Sequence, residues 1–247
     1  MPKKWRALPV VLAALIISDT IAAGADTAAA AREEMVQIVQ MEALMMSAET
    51  GVTELDPRVL DAMRRVPRHA FVPEPLREYA YRPHPLPVTR DQNIAAPFLI
   101  ALMTHLAALE PDDVVYETGT GAGYHAAVLS ELVDRVYSVE VIEPLAERAA
   151  RILKELGYDN VFTRAGDGYF GWPENAPYDA IIVKEAIDHV PPPLLQQLKR
   201  GGRLVMPLGP ARGPQYLTVV TKDEQGKVSE RRVLPVRFSP LQGGERT

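Results

Sequence analysis

The sequence contains no cysteine. That excludes a disulfide framework, a thiolate nucleophile and a cysteine-ligated zinc site. Histidine is scarce as well, with five in 247 residues. His69, His84, His105 and His125 fall at no ligand spacing, and no metal is expected. Positive charge is not in excess: 27 Lys and Arg against 32 Asp and Glu leave a net charge of −5. No nucleic-acid partner is therefore expected. No internal repeat is present, and the apolar run at residues 7–17 is too short for a comfortable bilayer span. What remains is ordinary for a globular protein: 47% apolar and 24% charged residues, in a chain long enough for one domain with an extension.

The first residues form a recognisable set. Lys3, Lys4 and Arg6 are basic, the apolar run follows, and Ala23-Gly24-Ala25 is a small-x-small site. These are the three parts of a secretory signal peptide. Residues 1–25 are read as that signal, which implies a periplasmic or secreted protein. The alternative is an ordinary N-terminal helix and a cytoplasmic chain.

The rest is organised around residues 114–124. Val114-Val115-Tyr116 is a short strand-like run, Glu117 follows it, and Gly119, Gly121 and Gly123 come at every second position. A helical pattern begins at Ala126. Strand, glycine turn and helix together make a nucleotide site, because glycines allow φ > 0 and close approach of a ligand. The dinucleotide fingerprint is Gly-x-Gly-x-x-Gly. Here the third glycine comes one residue early. Glu117 would repel a pyrophosphate but suits the ammonium of a methionine moiety. Glu140 ends the next apolar run, where an acid accepts ribose hydroxyls. The pattern points to S-adenosylmethionine rather than NAD.

Around this core the sequence predicts helices over residues 28–46, 58–66 (capped by Asp56 and started by Pro57), 98–109 and 143–156. In the helix over 98–109, Leu99, Leu102, Met103 and Leu106 have core spacing. Strands are expected at 136–140, 161–165, 178–183 and 203–207, with a final antiparallel pair at 215–221 and 230–238. Residues 79–97 read as a long loop, either a lid or a proline-stiffened connector. The fold class is α/β: a mostly parallel Rossmann-like sheet with an antiparallel C-terminal pair and an N-terminal helical extension. The division expected is 26–110 for helices and lid, 111–241 for the cofactor unit, and 242–247 for a tail.

Several segments carry a family resemblance. They include Arg58-Val59-Leu60-Asp61-Ala62-Met63, Phe71-Val72-Pro73, Gly119-Thr120-Gly121-Ala122-Gly123-Tyr124, Gly166-Asp167-Gly168-Tyr169, Pro177-Tyr178-Asp179-Ala180 and Gly201-Gly202-Arg203-Leu204-Val205. From about Met35 to Leu241 the chain resembles the S-adenosylmethionine-dependent protein-L-isoaspartate O-methyltransferases. Those enzymes esterify isoaspartyl carboxylates of damaged proteins as the first step of repair. The resemblance implies that Gly119, Gly121 and Gly123 face the methionine part, that Glu140 binds the ribose, and that Asp167 and Gly168 meet the adenine edge. Isoaspartyl proteins or peptides are the implied partner. A monomer is expected, without stable membrane association once the signal is cut.

Two departures fall on the substrate side. The family has a serine in its lid loop where this chain has Ala95, within Gln92-Asn93-Ile94-Ala95-Ala96-Pro97. The family also has a small neutral stretch where this chain has Lys184-Glu185-Ala186-Ile187-Asp188-His189. Weaker ester formation, raised by Ala95→Ser, is one expectation. A carboxylate held instead by Lys184 is the other. Glu185 or His189 acting as base for a hydroxyl or amine acceptor defines a changed-acceptor enzyme. Glu185 and Asp188 as an ordinary solvated helix start, or a non-catalytic peptide-binding protein on the same fold, are the further alternatives.

Overall fold

Alternation along each strand assigns the two faces of the sheet. Val115, Val136, Ala180 and Val205 belong to one buried cluster, while Tyr116, Tyr137, Ile181 and Leu204 belong to another. The computed structural model describes the backbone of residues 11–89 and 92–243, and side chains within those ranges from residue 27 onward. The basic residues Lys3, Lys4 and Arg6 lie outside the described residues.

The chain opens with helix α1 (Val11–Met45), which runs unbroken through Ala23-Gly24-Ala25 and so begins well before the expected residue 28. Among the described residues no helix is long and apolar enough to cross a membrane. A short turn, α2 (Ser47–Thr50), ends at Gly51, whose φ of 71° reverses the chain. Helix α3 (Pro57–Arg65) starts as its sequence dictates: Asp56 accepts from the Arg58 N–H at 2.8 Å, and Pro57 occupies the first turn.

The loop over 79–97 is not structureless. It carries a two-residue antiparallel pair, β1 (Leu86–Pro87) and β2 (Asn93–Ile94), with Leu86 opposite Ile94. Helix α4 (Pro97–Ala107) follows. Leu102, Met103 and Leu106 are buried as their spacing predicts, but Leu99 lines a cavity instead. The reason is positional, since Leu99 faces the site while its neighbours Phe98 and Ile100 pack into the core.

The main sheet contains β3 (Val114–Thr118), β4 (Arg135–Glu140), β5 (Val161–Ala165), β6 (Tyr178–Ile182), β7 (Leu198–Leu208), β8 (Gln215–Lys222) and β9 (Val228–Val236). Their order is β5-β4-β3-β6-β7-β8-β9. The pairs from β5 to β7 are parallel, and β8 and β9 add antiparallel. Helices α5 (Tyr124–Ser130), α6 (Glu143–Glu155) and α7 (Pro192–Gln197) connect the parallel strands. Strand β7 begins five residues before the expected Arg203. Gly201 has a φ of 79°, and a side chain at Gly202 would meet the Asp179 carbonyl at 2.7 Å. These two glycines let the strand bulge against β6 rather than end in a turn.

Strand order reverses between β3 and β6. In an open α/β sheet the carboxyl ends beside such a reversal form the ligand crevice. Glu117 and Thr118 end β3, and Lys184 and Glu185 follow β6. The topology therefore brings the glycine turn and the unusual charged pair to one place.

Candidate active site

The glycine turn has the conformation its composition demands. Gly119, Gly121 and Gly123 all have positive φ, at 67°, 57° and 93°. Side chains with a Cβ rarely adopt such angles. Glu140, at the end of β4, is buried and holds the turn in place. Its Oε2 accepts from the Gly121 N–H at 2.8 Å, and its Oε1 accepts from the Ile142 N–H at 3.0 Å. A carboxylate has about four lone-pair sites, so Glu140 keeps further accepting capacity.

Glu117 is fully buried at 0% exposure. Its Oε2 accepts from Ser138 Oγ at 2.6 Å, and Ser138 in turn lies 2.6 Å from Thr120 Oγ1. Ser138 donates to Glu117, so Thr120 must donate to Ser138. Oε1 faces two groups: Lys184 Nζ at 2.7 Å and His125 Nδ1 at 3.7 Å. The lysine contact is an ion pair without the alignment of a hydrogen bond, and Oε1 has no other partner. Burial pushes the Glu117 carboxyl up, against the pull of Lys184 and Ser138.

The tautomer of His125 follows from its neighbour. Thr104 Oγ1 has one proton, which it donates to the Ile100 carbonyl at 2.7 Å. Its 2.9 Å contact with His125 Nε2 must therefore be a bond it accepts. Burial holds His125 well below the usual imidazole range, so the ring is neutral. Its proton is on Nε2, and Nδ1 is a bare, buried acceptor with no partner. Glu117 Oε1 thus carries the Lys184 ammonium, and the partnerless His125 Nδ1 lies 3.7 Å from that same oxygen.

Glu185 lies over the glycine turn. A Cβ at Gly119 would meet its Oε1, and its Oε2 accepts from Thr118 Oγ1 at 2.5 Å. Burial raises its carboxyl to about 7, although the Thr118 bond and Lys184 oppose the rise. Gly119, Glu140 and Glu185 line two adjoining spaces. One is narrow and includes Val139, Gly168 and Leu241. The other is a cavity of ≈ 270 Å³ that includes Gly121, His125, Lys184, Asn93 and Ala95. Asp167 caps the turn at Gly168 by accepting from the Tyr169 N–H at 3.0 Å, and its carboxylate lies against Gly243. Tyr116 Oη donates to the Gly168 carbonyl at 3.0 Å.

The loop over 79–97 covers the larger cavity with Gln92–Ala96, as a lid does. Arg68 fixes both its stems. This arginine is completely buried; its Nε donates to the Ala80 carbonyl at 2.9 Å and its Nη2 to the Ala95 carbonyl at 2.8 Å. Its guanidinium lies 4.7 Å from the Tyr124 ring centre. On the other side, residues 237–243 cross the site as a strap. The Ala186 N–H donates to the Ser239 carbonyl and the Leu241 N–H to the Ala186 carbonyl, both at 2.8 Å.

The structure therefore brings together Ala95, Glu117, Gly119, Gly121, Glu140, Gly168, Lys184 and Glu185. Gly123 starts α5 beneath them and packs against Leu153. His189 is not brought in. It is half-exposed, contacts Tyr169 Oη at 3.1 Å and Asp188 at 2.8 Å, and lines neither space. A parallel bridge pairs Ile187 with Leu208 just before it. His125, Thr104, Ser138 and Arg68 belong to the site or its supports and were not singled out for it from sequence. No spacing rule links residues 104 and 125, or 68 and 95.

A family model described as protein-L-isoaspartate(D-aspartate) O-methyltransferase matches residues 39–246. The chain is 49% identical to protein-L-isoaspartate O-methyltransferase 2 of Syntrophobacter fumaroxidans, over 96% of each chain. It is 48% identical to protein-L-isoaspartate O-methyltransferase 1 of Cupriavidus necator, over 96% of this chain and 92% of that one. A solved protein-L-isoaspartate O-methyltransferase superposes with a TM-score of 0.75 at 30% identity, over 86% of this chain and 66% of the other. A Plasmodium falciparum structure in complex with S-adenosyl-L-homocysteine has the same fold, with a TM-score of 0.68 at 21% identity over 83% and 97%. On the strength of a match that spans sheet, lid and strap together, the chain belongs to the protein-L-isoaspartate(D-aspartate) O-methyltransferase family.

Proposed function

We propose that this enzyme transfers a methyl group from S-adenosylmethionine to the free α-carboxylate of isoaspartyl residues in damaged proteins. The observation that carries the reading is the pair of adjoining spaces meeting at Gly119, Glu140 and Glu185. One has acceptors suited to a nucleoside, and the other has acceptors suited to an amino-acid end beside a lid. Family membership favours ester formation over a changed acceptor or a non-catalytic binding protein.

The residues present fit the methyl donor. Glu117 Oε1, which takes the Lys184 ammonium, and the partnerless His125 Nδ1 suit an ammonium, and Glu140 has lone pairs left for ribose hydroxyls. Gly119, Gly121 and Gly123 allow the ligand to lie close to the backbone. Asp167 and Gly168 would meet the adenine edge. When bound, S-adenosylmethionine supplies an electrophilic methyl on a sulfonium. An acceptor carboxylate is ionised at neutral pH, so no residue has to remove a proton. What the chain supplies is alignment and exclusion of water. The lid from Gln92 to Ala96 and the strap from 237 to 243 enclose the reacting space. Ala95 has no hydroxyl to offer the acceptor, and Lys184 is the nearby cation that lines the same cavity.

Residues 26–110 act as helical cover and lid, and residues 111–241 as the cofactor unit. A monomer free of nucleic acid and membrane is part of the reading, resting on the net charge of −5 and the enclosed site. Export with cleavage near Ala25 rests on the N-terminal pattern alone. N-terminal sequencing of the protein from its native host tests it; a chain beginning near Met1 would refute export. The test of function is labelled methyl transfer to an isoaspartyl peptide, with its aspartyl twin as control. Equal labelling of both peptides, or of neither, overturns the assignment.

A further inference from the structure

The surroundings of Lys184 are unusual for a permanent ion pair. Its ammonium meets Glu117 Oε1 at 2.7 Å without hydrogen-bond alignment. The second wall of the same socket is His125 Nδ1, a bare acceptor that is 3.7 Å from that oxygen and has no partner. His125 is only 2% exposed, and the Lys184 side chain 14%. Lys184 also lines the cavity that holds Asn93, Ala95 and Ser239. One ammonium thus sits on a buried carboxylate oxygen that a second buried acceptor faces, and it is carried on a flexible four-carbon stem.

We propose that Lys184 is a displaceable counter-ion that links donor binding to acceptor binding. In the free protein Lys184 fills the socket made by Glu117 and His125. It yields that socket to the α-ammonium of a ligand with a methionine-type end, which is the same chemical group. Once released, Lys184 turns within the cavity towards Ala95 and holds the carboxylate of the acceptor. It thereby supplies the contact that Ala95 lacks. Donor therefore binds before acceptor. This rests on the ester-forming function proposed above, and names the residue that recognises the carboxylate.

Calorimetric titration of wild type and Lys184→Met distinguishes this from a purely structural ion pair. Two ligands are needed: S-adenosylhomocysteine, and 5′-methylthioadenosine, which has the nucleoside and thioether but no amino-acid end. S-adenosylhomocysteine is expected to bind Lys184→Met about tenfold or more tightly than wild type, a typical coupling between competing groups. Methylthioadenosine is expected to bind both proteins equally. The KM for an isoaspartyl peptide should rise at least about tenfold in the variant, with kcat changed less. Equal affinities of S-adenosylhomocysteine for the two proteins overturn the proposal, as does an unchanged KM. If Lys184→Met does not fold, a crystal structure of wild type with S-adenosylhomocysteine answers instead: Nζ still seated on Glu117 sinks the idea, and Nζ turned towards Ala95 supports it. A wild type that binds S-adenosylhomocysteine but methylates no isoaspartyl peptide refutes the proposed function, and the carboxylate role with it. A wild type that methylates normally, beside a variant of unchanged affinities, refutes this inference alone.

Discussion

Replacing Glu185 with glutamine should make the free protein more stable at neutral and alkaline pH, and no more stable in acid. Burial over Gly119 raises the Glu185 carboxyl from 4.5 to about 7 in the folded state. The folded protein thus holds this proton more tightly than the unfolded chain does. The group's contribution is most favourable below about pH 4.5 and is lost as pH rises through about 7. At about 1.4 kcal/mol per tenfold change in proton affinity, the full loss is roughly 3 kcal/mol. Glu185 is only partly shielded from solvent, and solvent screening cuts this to about 1–2 kcal/mol. The Glu185→Gln protein would have no such slope, and the new amide oxygen can still accept from Thr118. For a chain of this length, about 2–4 °C per kcal/mol gives a Tm advantage of roughly 2–8 °C at about pH 8. Thermal unfolding of both proteins without ligand, from about pH 4.5 to about pH 8.5, measures it. Taking the difference between the two curves removes the contribution of groups distant from Glu185. A constant offset across that range would refute the reasoning, because it would mean that Glu185 does not titrate differently on folding.

Three further outcomes are expected. Gly121→Val should abolish S-adenosylhomocysteine binding by calorimetry, because the φ of 57° at this position disfavours a β-branched residue and its N–H holds Glu140; retained tight binding would contradict the assignment of the turn. Ala95→Ser should change kcat/KM for an isoaspartyl peptide by less than about threefold if Lys184 holds the carboxylate, whereas a hydroxyl that supplies a missing bond to a charged group is worth about 1.5–3 kcal/mol, or roughly ten- to a hundredfold. Arg68→Met should cost about 2–4 kcal/mol in urea unfolding, since it orphans the Ala80 and Ala95 carbonyls, and it should speed proteolysis within residues 79–97; unchanged cleavage would mean that Arg68 does not anchor the lid.

Much of the architecture was legible because it is written in local periods. The helix around Val59, Leu60 and Met63 declares itself by spacing, and its start by Asp56 and Pro57. The strands reveal themselves by apolar runs that alternate between two buried faces. Glu140 was legible because a fixed distance along a strand-turn-helix unit places it beside the turn. Other features depend on contacts that no local rule encodes. Thr104 sets the tautomer of His125 from a different helix, and Arg68 reaches Ala95 only once the loop has closed over it. The residue type of His189 suits catalysis, but its place, half-exposed beside Asp188 and Tyr169, depends on how the chain folds after β6. Lys184 was visible as a departure, yet its partner Glu117 appears only when β6 lies beside β3.

The strap also dates the site. Its residues follow every strand of the sheet in the chain, and they are stitched to Ala186, immediately beyond Lys184 and Glu185. A chain leaving the ribosome can build the sheet and the glycine turn before the strap exists, but it cannot close the ligand space. Methyl transfer should therefore switch on only once residues 237–243 have been made. For the same reason, bulk attached behind the strap should disturb ligand binding more than bulk attached ahead of α1.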